Sequence, residues 1–149
     1  MTANRVPGLH GWGYEGRTVD DLIGFARRVG ARTVVDVRLN PISRKRGFSK
    51  RALAERVETE GISYVHLRAL GNPTDNRAGF ASPASDSWRA AHERFNTEVM
   101  GTPEAAHALD SISARLKEGP VVLVCFEADG RCCHRSLVMQ AMAGRLVDA

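Results

Sequence analysis

The stretch from Pro120 to Leu146 limits what this chain can become more than any other. Val121 to Phe126 is uniformly apolar, opened by Pro120 and followed by a loop containing Gly130. A short run without polar alternation, bounded in this way, is a strand buried on both faces of a parallel sheet. Beyond the loop, Leu137, Val138, Ala141, Met142 and Leu146 recur at helical spacing. The unit is therefore strand, polar loop, helix. Its loop collects Cys125, Glu127, Cys132, Cys133, His134 and Arg135 where a strand ends and a helix begins. In open α/β sheets ligands bind at that edge, and the free N–H groups of a helix start favour anions.

The preceding chain alternates in the same way. Leu9 to Tyr14 is a weak strand interrupted by Gly11 and Gly13. Thr18 is an N-cap, with Asp20 and Asp21 at the positive end of a helix, and Gly30 stops it. Val19, Leu22, Ile23, Ala26 and Val29 form its apolar face. Thr33 to Leu39 and Ile62 to Leu67 are strands; between them Gly47-Phe48-Ser49 opens a helix that ends at Gly61. Gly71 to Asp86 has no periodicity, and a loop so long is either functional or disordered. Trp88, Ala91, Phe95 and Val99 mark the core face of a further helix, and Thr102-Pro103-Glu104 starts another. The order predicts an α/β fold: a single three-layer α/β/α domain over 1–149, with a mainly parallel sheet of about four strands. Strand order is not readable.

Composition narrows the class. At 43% hydrophobic and 26% charged, 149 residues suffice for a real core. No run approaches the roughly 18 apolar residues of a membrane span, so no membrane partner is expected. The N-terminus has no apolar signal-peptide core. Three cysteines make no disulfide framework, and the expected location is cytoplasmic. A net charge of +4 permits an anionic small molecule or nucleic acid as partner without demanding either. No cofactor is implied, and oligomeric state is not readable.

A second informative stretch runs from Asp36 to Arg51. Strand alternation puts Asp36 and Arg38 on one face, opposite Val35 and Val37. Arg38, Arg44, Lys45, Arg46, Lys50 and Arg51 follow one another with no acid among them. Such a run is usually a solvated loop. Here it falls at the same sheet edge as the Cys-His-Arg loop, as does Arg17 after the first strand. Asp36, Arg38, Arg44, Glu127 and Arg135 are thus expected in one pocket.

These segments carry a resemblance. Gly13-Tyr-Glu-Gly-Arg17, Asp36-Val-Arg-Leu-Asn-Pro-Ile-Ser-Arg44, Gly47-Phe-Ser49, Gly61 to Leu67, Leu70-Gly71 and Cys125-x-Glu127-x5-Cys133-His-Arg-Ser136 resemble the domain of unknown function 488 family of bacteria and archaea, from about Trp12 to Met142. The resemblance implies a three-layer α/β fold and no particular activity. Its shared polar positions fall on Tyr14, Arg17, Asp36, Arg38, Ser43, Arg44, Tyr64, Cys125, Glu127, Cys133, His134 and Arg135. The chain departs from the family pattern in Glu15, where Ser is usual, and in Cys132 beside Cys133.

Several chemistries can use such a loop. Cys125-x5-Arg131 has the spacing of a cysteine-phosphatase cradle, and a cysteine loop with an Asp-Val-Arg strand also resembles rhodanese domains. Both need a thiolate, which Glu127 and Asp129 would repel. A metal could use Cys125, Glu127, Cys133 and His134, but the close cysteine pairs of structural zinc sites are absent and no metal site is assigned. The remaining reading is acid–base or binding chemistry. Glu127, His134 and Asp36 are the catalytic candidates, and Tyr14, Arg17, Arg38, Ser43, Arg44, Tyr64, Cys125, Cys133 and Arg135 the substrate-binding ones. The expected function is an anion-binding pocket, in an enzyme acting on a phosphorylated, nucleotide or nucleic-acid substrate. A non-catalytic ligand- or nucleic-acid-binding module and thiol chemistry are the alternatives. His10, His66, His92 and His107 have no evident partners and receive no role.

Overall fold

The computed structural model describes residues 5–148, with the backbone alone for 146–148. The N-terminal tip and the side chain of Leu146, expected on the last helix's inner face, lie outside the described residues. The element order is β1 (Leu9–Gly13), α1 (Val19–Arg28), β2 (Thr33–Asp36), α2 (Lys50–Thr59), β3 (Ser63–His66), α3 (Asp86–Arg94), α4 (Pro103–Glu118), β4 (Val121–Cys125) and α5 (Arg135–Asp148). The four strands are parallel in the order β1-β4-β2-β3. The fully apolar β4 is flanked on both sides, by β1 and β2, and every one of its residues is buried.

Period-two alternation divides the core. Val34, Val122 and Val124 face α1 and α2 with Leu22, Ile23, Phe48, Leu53 and Val57. Val35, Val37, Leu123 and Cys125 face the other side, where Phe95, Ile112, Leu137 and Val138 close over them. The result is the expected α/β sandwich of helices around a sheet. No described helix is long and apolar enough to cross a membrane.

Local chemistry sets the ends. The Thr18 hydroxyl accepts from Asp21 N while the Asp21 carboxylate accepts from Thr18 N, a complete capping box. Thr102 caps α4 at Ala105 N, ahead of Pro103. β2 stops three residues short of the expected Leu39, because the Asp36 carboxylate accepts from Arg38 N and turns the chain. β4 stops at Cys125, leaving Phe126 partly exposed. Trp88 also departs from the expected core position: it is half-buried, lies against the His92 ring at a 38° tilt and donates from its indole to Arg131 O at 2.8 Å.

The aperiodic segment after Leu70 is neither featureless nor loose in packing. It forms short 3-10 turns at 74–76 and 78–81, buries Phe80, and ties Asn76 to Asn72 and Ala91 O. Gly71 lets it lie against Leu39, since a Cβ there would stand 2.4 Å from Leu39 Cα. Gly13 does the same for the loop after β4: a Cβ would meet Glu127 O at 1.8 Å.

Two substitutions of the same kind therefore have opposite expected signs. Gly13→Ala destabilises by about 1–3 kcal/mol or more, as overpacking does. Gly24→Ala in α1 meets nothing within 4 Å and stabilises by about 0.5–1 kcal/mol. Urea midpoints at constant m-value check both; equal effects would show that the β4 loop is not held against β1.

Candidate functional site at the C-terminal edge of the sheet

Arg38 and Asp36 form the firmest part of this edge. Arg38 donates from Nε to Asp36 Oδ1 at 2.8 Å and from Nη2 to Oδ2 at 2.7 Å, a bidentate pair. Its Nη1 donates to Phe48 O at 2.6 Å and lies 3.4 Å from the Tyr14 hydroxyl. Tyr64 donates to Asp36 Oδ2 at 2.5 Å, and His66 Nε2 bonds Arg38 O at 2.7 Å. Asp36 is 0% exposed and Arg38 6%. Burial alone would lower the guanidinium, but the Asp36 carboxylate outweighs it and raises Arg38 above its ordinary value. Burial, with the same carboxylate, also raises the Tyr64 phenol. The pair is internally satisfied.

On the other face, Cys125, Cys133 and His134 converge. All three are buried, and their sulfur and nitrogen atoms lie within 4.8 Å of one another. His134 Nε2 donates to Val37 O at 2.7 Å, leaving Nδ1 as the nitrogen turned to the thiols. Burial would lower the imidazole, but Cys133 and the Val37 carbonyl outweigh it and raise it above its ordinary value. That Nδ1 faces Cys125 Sγ at 3.7 Å and Cys133 Sγ at 3.9 Å. Burial, then Cys125, pushes the Cys133 thiol well above its ordinary value, more than His134 draws it down.

A cavity of about 100 Å³ opens between these groups. Tyr14, Arg38, Asn40, Asn72, Thr74, Arg77, Glu127, Cys125 and His134 line it. Glu127 Oε2 is buried there without a hydrogen-bond partner. The Glu127 backbone is held elsewhere: Arg135 donates to Glu127 O and to Ala128 O, and Glu15 accepts from Ala128 N at 3.1 Å.

Of the five residues expected in one pocket, Arg38 and Glu127 line this cavity. Asp36 stands behind Arg38. Arg44 is exposed and away from the cavity wall, and Arg135 is buried beneath the loop with two guanidinium N–H groups donated to carbonyls. Arg17 donates to Gly13 O and lies over Trp12, in a separate depression shared with Arg135. Ser43 shapes the basic loop, bonding Lys45 N and Ser49. Tyr64 acts through Asp36 and does not reach the cavity. Sequence reasoning singled out neither Arg77 nor Asn72, which come from the aperiodic segment, nor His66, whose partner is a backbone carbonyl.

The sequence model described as "Domain of unknown function DUF488" matches residues 18–142. The chain belongs to this family. No curated protein and no solved structure matches the sequence. The DUF488 match takes in every residue of the ion-pair and thiol–imidazole groups except Tyr14, and it includes the whole aperiodic wall.

Asp36→Asn leaves the buried Arg38 charge uncompensated and should cost about 3–5 kcal/mol. Adding Arg38→Met should recover part of that loss. A loss below about 1 kcal/mol in denaturant melts would mean the pair is not buried as described. In the metal-free protein the Cys133 thiol, raised by burial, should alkylate slowly near neutral pH and faster only as pH climbs past the ordinary thiol range of about 8.5. Mass mapping of fast modification at Cys133 near pH 7 would contradict this.

Proposed function

We propose that this DUF488 protein is an enzyme that takes the anionic end of a small substrate, a phosphate or carboxylate, into the cavity at the sheet's C-terminal edge. Glu127 is the group that moves the proton, and Arg77 the cation that meets the charge. The observation that carries this reading is the orphaned carboxylate oxygen of Glu127, buried in a cavity lined by hydrogen-bonding side chains. A buried polar atom without a partner costs free energy, so its retention calls for a ligand or a reacting proton.

Charge and volume refine the proposal. Arg38 is neutralised by Asp36, whereas Arg77 forms no ion pair among the described residues. A cavity of about 100 Å³ is well below the roughly 300–1,000 Å³ of a whole-ligand pocket. It suits one phosphate or carboxylate group, with the rest of the substrate outside. His134 has one nitrogen bonded to Val37 O and the other turned to the thiols, so proton transfer falls to Glu127 alone.

A larger polyanion is the second reading. Ile42, on the cavity rim, is 83% exposed, and Arg44, Lys45 and Arg46 follow it in sequence. A nucleic acid would then put a terminal phosphate in the cavity and its backbone along that loop.

Glu127→Gln should keep binding of inorganic phosphate or a phosphomonoester within about threefold while lowering turnover by about 10²–10⁴. Arg77→Ala should weaken binding about tenfold, an effect of about 1.4 kcal/mol. Titration calorimetry and a phosphoester panel read the two separately. Unchanged binding in Arg77→Ala, or full turnover in Glu127→Gln, would sink the reading; binding without any turnover would leave a ligand-binding module. Changing Arg44, Lys45 and Arg46 to Ala should flatten the log-salt slope of oligonucleotide binding only under the second reading.

A further inference from the structure

We infer that Cys125, Cys133 and His134 form a zinc site whose fourth coordination position opens into the cavity. The inference begins from distance. Tetrahedral zinc with sulfur at about 2.3 Å and nitrogen at about 2.0–2.1 Å puts its sulfur and nitrogen ligands about 3.6 Å apart. Here the Nδ1 of His134 lies 3.7 and 3.9 Å from the two sulfurs. The ligands are already spaced for an ion among them.

Orientation supplies the second argument. A zinc-bound imidazole donates its other ring N–H to a carbonyl or carboxylate, which fixes ring and tautomer. His134 Nε2 does this to Val37 O at 2.7 Å, from the strand alongside Cys125. Two thiols meanwhile converge on one imidazole nitrogen and on each other, all within 4.8 Å, so that a single cation among them would use all three atoms.

The ligands also sit at different depths. Cys133 is 1% exposed and does not line the cavity, whereas Cys125 and His134 do. A metal held by all three would be shut off by protein on one side and open toward the cavity on the other. Three protein ligands with one open position is the pattern of catalytic zinc, and two cysteines with a histidine is one of its known sets. The absence of close cysteine pairs excludes only finger-like structural sites, whose ligands come in short runs. Cys132, half-buried, has its sulfur against Ala81 O at 3.8 Å and stands outside the set. The zinc site does not depend on which anion the cavity takes, although it shares that cavity with Glu127.

The full chain, purified reduced and without chelator, should carry about one zinc per chain by elemental analysis. After chelation and cobalt loading, the wild type should show a thiolate-to-cobalt charge-transfer band with tetrahedral d–d transitions. Cys125→Ser, Cys133→Ser and His134→Gln should each weaken zinc binding by more than about 100-fold, the upper end of what losing an outer-shell partner costs. Cys132→Ser should leave it unchanged. Should a variant fail to fold by circular dichroism, native mass spectrometry of the wild type still decides, through one bound zinc and the two thiol protons it displaces. No stoichiometric zinc, a cobalt spectrum without a thiolate band, or an equal effect of Cys132→Ser would overturn the site. Zinc bound at full affinity in Arg77→Ala with phosphate binding lost would uphold the zinc site whatever the cavity's substrate.

Discussion

The ion pair between Asp36 and Arg38 is the constraint on which the edge of this molecule depends. Two charges taken out of water cost several kcal/mol each, and attraction repays that only when every remaining donor and acceptor is also used. Here they are. Asp36 receives two guanidinium N–H groups, its own turn's N–H and the Tyr64 hydroxyl, while Arg38 spends its last contacts on Phe48 O and Tyr14. Those partners come from β1's end, β3 and the loop before α2. The buried ion pair therefore ties the end of β1, β3 and the loop before α2 to the end of β2. The Tyr14 ring, stacked 4.3 Å from Phe48, closes the arrangement on its apolar side.

The sheet keeps two chemistries apart. Val35 and Val37 pack on the thiol–imidazole side, whereas Val34 packs against α1 and α2 and Arg38, beyond the turn at Asp36, reaches Tyr14 and Phe48 O. The separation has an electrostatic consequence. A guanidinium close to Cys125 or Cys133 would favour thiolate, but the Arg38 charge is neutralised on the opposite face. Cys133 instead feels mainly burial, and its thiol is raised. Burial works against the thiolate that chemistry of the phosphatase or rhodanese kind would need at Cys133.

What was legible in the sequence follows from which signals are local. The strand–loop–helix unit, the Thr18 and Thr102 caps and the alternation in β2 depend on neighbours within a few residues, and each can be read directly. Strand order depends on which apolar run meets which, and parallel strands buried on both faces look alike. Arg135 illustrates the limit for the site. Its position at a helix start suggests an anion ligand, yet the fold brings Glu127 O and Ala128 O within its reach and draws two of its N–H groups to them. Arg77 shows the reverse. Nothing periodic surrounds it, and only the packing of Phe80 and Asn76 turns its segment into a cavity wall.

The position of Glu127 shows how this loop could be built rigid yet leave one group unspent. Arg135 grips two successive carbonyls, Glu15 holds the Ala128 N–H, and the missing side chain at Gly13 lets the backbone rest against β1. None of these contacts uses the Glu127 carboxylate. Were that side chain structural, the nearby cations would be expected to pair with it, and neither Arg38 nor Arg135 does so among the described residues. Backbone anchoring of this kind holds a side chain in place without consuming its oxygens, and functional groups are best carried on such supports. The cost is one buried oxygen with no partner, a penalty that falls only when something enters the cavity to meet it.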